Sequence, residues 1–595
     1  MRNSGSLRHP AVRVGLCLAG MAVAILLSGS PRATGQSELA RLGLPQDWSH
    51  RHVVFSNPPS MPILLAIRQD PRLLHQWLKF NVHGRMNRQA AQKPEVSDRE
   101  REDFDRERER DGDPKPEKGV DWSVTLGGAG SKVAAGMSPA KYGFDINASP
   151  DCTNDFVVFP TFNGGTVAQA TIVGYNQLYS TQGSVGGFCT HNGPSVKWAY
   201  RTGGAIRSSP VLSLDGKKVA WVTAAGGHVQ VLTIGTTGAN GASVTAPAVP
   251  GTGNNAVDRT VILNGARNVS ASSLFVDYTA DAAYVGDDGG VLHKVTGVFG
   301  GTPAEVTTGG WPITVSSATA HLTGPVFDSV TRNIFVADNL GHLSYVRETG
   351  STSGTCAIGA PPCLGSTVIT FASGAAIVDP PIVDSSTGRV FTEIGNADGL
   401  TAELLQADTA LGSVVRVVAG RQDGNVLRTG TFNNNYFSNP STGFFYFCGK
   451  NFANSHPTLF RVGFNGAGVM NSAIDPATPV ALATGPSACS PAAEIFNNGA
   501  IPAKDWLFIS VANHCAGAGG GIAGCIMSFD ITGGMPAASS HAVTERGGTS
   551  GMVVDNVSPS VQASNIYFSN QANGACGDTV ATGGCAIKLT QSGLQ

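Results

Sequence analysis

The chain carries 13 histidines and 11 cysteines, and any chemistry has to be sought first among these and its acidic turns. His228, His293, His321, His342, His456, His514 and His541 are scattered along the C-terminal part. His293 and His342 each follow a Gly-containing hairpin, in Val291-Leu-His293 and Gly341-His342-Leu. Such a pair on neighbouring units is suited to line a channel or bind a metal; ordinary polar positions on a strand are the competing reading. His50 and His52, beside Trp48, are candidate ligands where an N-terminal segment meets the rest. The acidic hairpins at Asp287-Asp288, Asp338 and Asp398 offer the oxygen donors that calcium takes. Asp in a tight turn also caps backbone amides with no ion present.

Gly519, Gly521 and Gly524 form a Gly-x-Gly-x-x-Gly match. Dinucleotide binding needs a strand before that phrase and a helix after it. Here it lies between Cys515 and Cys525, which points to a loop closed by a disulfide. There is no Gly-x-Ser-x-Gly elbow, His-Glu-x-x-His, EF-hand loop or Cys-x-x-Cys-His haem site. No catalytic residue, cofactor ligand or metal ligand is assigned.

The cysteines suit an oxidising compartment. Cys17 falls in the apolar core of a leader, and the remaining ten lie in neighbouring pairs: Cys152 with Cys189, Cys356 with Cys363, Cys448 with Cys489, Cys515 with Cys525, and Cys576 with Cys585. Zinc sites want Cys-x-x-Cys spacing with His partners, and none of these gaps fits. Structural disulfides are expected, with local pairing the most economical connectivity.

The leader itself has Arg2, Arg8 and Arg13, an apolar run from Val14 to Leu27, and small residues through Ala33-Thr34-Gly35. That is the layout of a cleaved signal peptide, residues 1–35. The run is shorter than the roughly 20 residues a membrane span needs, so no span is expected after cleavage. Residues 36–95 read as a small, partly helical segment. In it Asp70-Pro71 makes a helix start, and Leu73, Leu74, Trp77, Leu78 and Phe80 fit one helical face. Residues 96–120, with the run Asp98 to Arg110, read as a charged, disordered linker. The chain as a whole is 14% charged with a net charge of −2, which gives no reason to expect nucleic acid.

From 121 to 595 a strand–turn–strand phrase recurs about eight times. Clear copies are Pro-Ile-Val-Asp384-Ser-Ser-Thr387-Gly-Arg-Val-Phe391, Pro325-Val-Phe-Asp328-Ser-Val-Thr331-Arg-Asn-Ile-Phe335 and Leu-Phe-Val-Asp277-Tyr-Thr279-Ala-Asp-Ala-Ala-Tyr284. Asp with Thr and Gly makes a tight turn, and the apolar strand after it can be buried on both faces between neighbouring units. One unit cannot bury both faces alone, so the units must close on one another. The expected fold is all-β: a single β-propeller of four-stranded antiparallel blades, eight in number, with seven the alternative. Stacked β-sandwiches would not recur so evenly.

These phrases resemble those of quinoprotein-like (PQQ-like) and WD40-like repeat propellers, and Ser213-Leu-Asp-Gly-Lys-Lys-Val-Ala-Trp-Val is similar to the Ser-Pro-Asp-Gly-Lys phrase of TolB-type propellers. The whole chain also resembles a group of secreted bacterial propeller proteins, in which a Trp-Ser-x-x-His start, a charged linker and an Asp-Trp-Ser segment (here Asp121-Trp-Ser) precede the ring. Quinoprotein dehydrogenases carry adjacent cysteines over the cofactor and blade-end tryptophans; this chain has no Cys-Cys pair, and its seven Trp do not recur at one blade position.

The expectation is an exported, extracellular or periplasmic, non-catalytic propeller that engages a glycan, peptide or envelope protein. The alternative is a secreted enzyme of quinoprotein or glycan-cleaving type. No cofactor is assigned; calcium and PQQ are the two left open. Ligands of propellers gather among loops at the channel mouth. The longest insertions between units are Gly235–Arg267 and the Cys356–Cys363 loop, poor in acids and bases.

Overall fold

The Asp-led turns behave as their chemistry requires. Asp277 Oδ1 accepts from the amides of Thr279 and Ala280 at 3.0 and 3.3 Å. Asp328 accepts from Val330 and Thr331 at 3.1 and 3.2 Å, and Asp384 from Ser386 and Thr387 at 3.0 and 3.4 Å. Each turn folds one copy of the phrase back on itself and starts an antiparallel sheet.

In the computed structural model, which describes residues 43–56, 60–70, 72–74, 120–143, 150–183, 188–265, 267–422, 426–476, 479–497, 502–517, 523–556, 564–577 and 579–590, these sheets form an eight-bladed propeller. The innermost strands, blade 1 to blade 8, are Ala140–Gly143, Val211–Leu212, Phe275–Asp277, Val326–Asp328, Ile382–Asp384, Thr431–Phe432, Ala493–Asn497 and Val553–Asn556. Blade 8 takes its outermost strand from the other end of the ring sequence: Val120–Thr125 pairs antiparallel with Cys585–Thr590. The signal peptide and all but the last residue of the charged linker lie outside the described residues.

A second repeated device holds the blades. Three residues before the innermost strand, Ser208, Ser272, Thr323, Ser490 and Ser550 each accept a backbone amide from the neighbouring strand of the same blade, from Val222, Gly286, Ala337, Ser510 and Ser569 at 2.9 to 3.1 Å. In blade 5 that place belongs to Asp379. Blade 6 departs further: a short helix, Asn434–Ser438, and a 3-10 turn, Pro440–Thr442, replace the simple turn. Asn439 still caps it through Ser441 N at 3.2 Å.

The seam between blades 8 and 1 is charged and dry. Lys141 Nζ lies 2.9 Å from Asp555 Oδ2 with both side chains fully buried, and Lys588 Nζ lies 3.1 Å from Asp121 Oδ2. Tyr179 donates to Asp155 at 2.6 Å, and the buried Trp122 donates to Leu178 O at 3.1 Å. Five disulfides join Cys152 to Cys189, Cys356 to Cys363, Cys448 to Cys489, Cys515 to Cys525 and Cys576 to Cys585.

Residues 43–56 enter the ring. Leu44–Gln46 adds antiparallel to the innermost strand of blade 1, and Val53–Val54 adds parallel to that of blade 5. Blades 1 and 5 face each other in a ring of eight, so this segment crosses the channel. A helix follows at Met61–Gln69, where no helix was expected. Arg72, Leu73 and Leu74 are helical, Asp70 accepting from Arg72 N at 2.9 Å; the rest of the helix expected after Asp70 lies outside the described residues.

The insertion Gly235–Arg267 does not cap the channel. It contains Val257–Ile262, the fourth strand of blade 2, and its earlier part runs along the outermost strand of blade 1, with Ala199 N bonded to Asn240 O and Ala248 N to Ala199 O at 2.8 and 2.9 Å. The Cys356–Cys363 loop likewise sits between the third and fourth strands of blade 4. A loop that links outer strands is carried to the rim, away from the axis.

Candidate functional site in the central channel

What fills the channel is the Trp48-Ser-His50-Arg-His52 phrase. Asp47 caps a single 3-10 turn, Trp48–Arg51, by accepting from Ser49 N at 3.1 Å. Trp48 is 5% exposed; its indole donates to Leu274 O at 3.0 Å and its ring meets His52 and Phe275 edge-on. Arg72 returns to lock the turn. Its guanidinium lies 3.0 Å from Asp47 and 2.9 Å from Asp70, donates to Val276 O at 3.0 Å, and stacks over Tyr278 at 4.2 Å.

Both histidines of the phrase are tied to backbone carbonyls. His50 Nδ1 pairs with Asp47 O. His52 Nδ1 lies 3.0 Å from Pro381 O, and burial pushes the ring down to about 4, outweighing that bond, so it is neutral near pH 7. A neutral ring at 3.0 Å from a carbonyl must carry its proton on Nδ1.

Between the turn and the ring lies a cavity of about 140 Å³. Its apolar wall includes Leu44, Trp48, Val54, Ile382, Phe432 and Phe437; its polar groups include His50, Arg51, Asp379 and Glu494. Asp379, the carboxylate standing where five other blades place a hydroxyl, accepts from Arg428 Nη1 at 2.5 Å and Thr429 N at 2.8 Å. Just behind it the buried Glu393 accepts from Gly430 N at 2.7 Å, and burial raises its carboxyl well above the usual range.

Arg51 is the exception. Burial brings it down to about 10, with Glu494 pulling the other way, and its Nη2 is shielded from solvent with no hydrogen-bond partner. A buried donor left without an acceptor costs about 1–3 kcal/mol. Neither Arg51 nor Glu494 stood out in the sequence, yet Arg51 lies between the two histidines that did. Asp379 was detectable as the one acid in a register of hydroxyls.

The other candidate residues fall elsewhere. His228, His293 and His342 occupy third strands, and His541 a fourth strand. His293 Nδ1 lies 2.7 Å from Glu305 and its Nε2 3.5 Å from Asp287, while His342 Nδ1 lies 2.9 Å from Asp338. His321 sits 3.8 Å from Asp288 in the loop before the innermost strand of blade 4; His456 and His514 occupy hairpins of blades 6 and 7. Asp287, Asp338 and Asp398 cap their own turns, accepting from Gly289 and Val291, Leu340 and His342, and Leu400 and Thr401 at 2.7 to 2.9 Å. Among the described residues no group of three or more His, Cys, Asp or Glu is placed to hold a metal ion. Gly519 and Gly521 lie outside the described residues; Gly524 lies in the strand Ala523–Asp530, beside the Cys515–Cys525 disulfide.

Fold and site define an eight-bladed propeller whose channel is crossed by its own N-terminal segment. No protein-family description matches the sequence, and no curated protein matches it. By shape the chain is similar to Sqt1 of Chaetomium thermophilum (10% identity over 80% of this chain and 98% of that one, TM-score 0.45). It is similar also to Sqt1 of Saccharomyces cerevisiae (10% identity, 80% and 99%, TM-score 0.42) and to BamB of Moraxella catarrhalis (11% identity, 67% and 89%, TM-score 0.36). Among the described residues no helix is long and apolar enough to cross a membrane.

Proposed function

We propose that this is an exported bacterial propeller that binds a partner, a peptide, glycan or envelope protein, in the channel cavity without catalysing a reaction on it. The cavity between the Trp48–Arg51 turn and the ring carries the reading. It joins an apolar wall to an arginine nitrogen, Arg51 Nη2, that is shielded from solvent and has no hydrogen-bond partner, which is the composition of a recognition pocket. His52, Asp379 and Arg72 are already engaged by Pro381, Arg428 and the Asp47–Asp70 pair, so they hold the pocket in shape. Five disulfides support export to the periplasm or cell exterior. The reading calls for no cofactor.

The enzyme alternative has one observation in its favour: His50 and Glu494 line the same cavity as Arg51. Screening the exported chain on peptide and glycan arrays separates the two. A binder recovered unchanged, and lost when Ala271→Trp fills the cavity, is the expected result. Turnover of the bound compound favours the enzyme, and binding indifferent to Ala271→Trp removes the cavity as the site.

A further inference from the structure

What the channel cavity would select by charge and size rests on that cavity being the binding site. We propose that it takes the C-terminal residue of a peptide: an aliphatic side chain against the Trp48, Ile382 and Phe432 wall, with the free carboxylate on Arg51.

Three features argue for it. A cavity of about 140 Å³ is near the size that holds a single benzene-sized group, so it admits one residue at the end of a chain and not a stretch of chain. Its wall is aliphatic and aromatic, which suits a Leu- or Val-like side chain better than a hydroxyl-covered sugar ring. The unsatisfied donor is an arginine Nη2, shielded from solvent, and a guanidinium matches a carboxylate with paired N–H···O bonds. Glu494 lines the same cavity and opposes a bare anion. A peptide end carries an amide N–H beside its carboxylate, a donor that Glu494 attracts while it repels the carboxylate. An inorganic anion brings no such donor.

The arginine also has a reason to stay in place. It ends the Trp48–Arg51 turn, which Trp48 pins to Leu274 O and Arg72 ties to Asp47 and Asp70. Its position is set before any ligand arrives, so ordering it is not a cost of binding.

The test uses the whole exported chain, oxidised, with N-acetyl-leucine, N-acetyl-leucinamide and glucuronate as probes, read by calorimetry and by the shift in melting temperature. N-acetyl-leucine should bind at least about tenfold tighter than its amide, the loss expected when a charge-assisted bond is replaced. Arg51→Met should remove that preference while leaving the unliganded melting temperature within a few degrees of wild type, and Arg51→Lys should restore part of it. Equal binding of acid and amide, both blocked by Ala271→Trp, overturns the carboxylate assignment and leaves the cavity as a binding site. Glucuronate binding tighter than N-acetyl-leucine overturns the peptide assignment in favour of an acidic sugar. Binding of none of the three also overturns the inference, and the array screen then decides the binding reading by itself.

Discussion

Two regions of the ring are completed by N-terminal sequence, and they treat buried charge in opposite ways. At the seam, Val120–Thr125 closes blade 8, and the interior lysines there are met: Lys141 by Asp555 at 2.9 Å and Lys588 by Asp121 at 3.1 Å. In the channel, Leu44–Gln46 and Val53–Val54 bridge blades 1 and 5, and Arg51 Nη2 between them is buried without a partner. Both places are shielded enough for a polar atom without a partner to be expensive. A matched pair marks construction, because removing either member strands the other. A donor nitrogen left without an acceptor, as at Arg51 Nη2, marks a place where stability has been given up, and sites of recognition are where such losses are retained.

The comparison breaks most visibly at the seam. Lys141→Met leaves the Asp555 carboxylate buried against Tyr179, and a broken buried pair costs about 3–5 kcal/mol. Urea unfolding of the variant should move to much lower denaturant. A change below about 1 kcal/mol would mean the seam is no tighter than a surface contact.

Trp48→Ala comes next, acting on the segment and not on the ring. Loss of a buried tryptophan costs about 3 kcal/mol or more, here drawn from docking of the turn, since the eight blades do not depend on it for closure. Residues 43–56 should become cleavable by protease while the ring fragment resists. Simultaneous digestion of both would show that the segment is part of the fold's cooperative core.

His52 gives the channel a pH dependence of known sign. Its folded pKa, about 4, lies below its usual 6.5 because burial disfavours the charged ring. The unfolded chain therefore binds more protons between those values. The neutral ring's contribution is full above pH 6.5 and falls as the pH drops toward 4, by about 3 kcal/mol in all. Asp379 favours the charged ring and Arg51 opposes it. Glu393 titrates with the opposite sign, its folded pKa being raised, so the quantity to compare is the difference between wild type and His52→Gln from pH 4.5 to 7. A constant difference would place the ring in contact with water.

The smallest expected effect sharpens the contrast most. Arg51→Met, chemically the counterpart of Lys141→Met, should change stability by less than about 1 kcal/mol, because the gain from removing a shielded donor that had no acceptor is offset by the lost attraction to Glu494. A loss as large as that at the seam would make Arg51 a structural ion-pair partner of Glu494 and would dissolve the distinction between the two regions.

Much of the ring was readable before any coordinates. The Asp-led turns at Asp277, Asp328 and Asp384 carry their own capping chemistry within three residues, and Asp287, Asp338 and Asp398 within four. A local hydrogen bond leaves a local sequence trace. The serine and threonine register at Ser208, Ser272, Thr323, Ser490 and Ser550 was present in the sequence too, but its meaning depends on a strand ten or more residues away. The placing of Gly235–Arg267 at the rim was not readable, because loop length says nothing about which strands a loop joins. Nor was the short helix of blade 6.

The sequence by itself determined the repeating unit, the need for those units to close on one another, and the even complement of cysteines from Cys152 to Cys585, because each follows from residue types at short spacing. Only the tertiary structure decided that residues 43–56 cross the channel, that Arg51 Nη2 ends there without a hydrogen-bond partner, and that Lys141 meets Asp555 more than 400 residues away. Those are contacts between segments with no common periodicity. Their energies depend on burial and on which charges share a dry space, and neither quantity exists until the ring has closed.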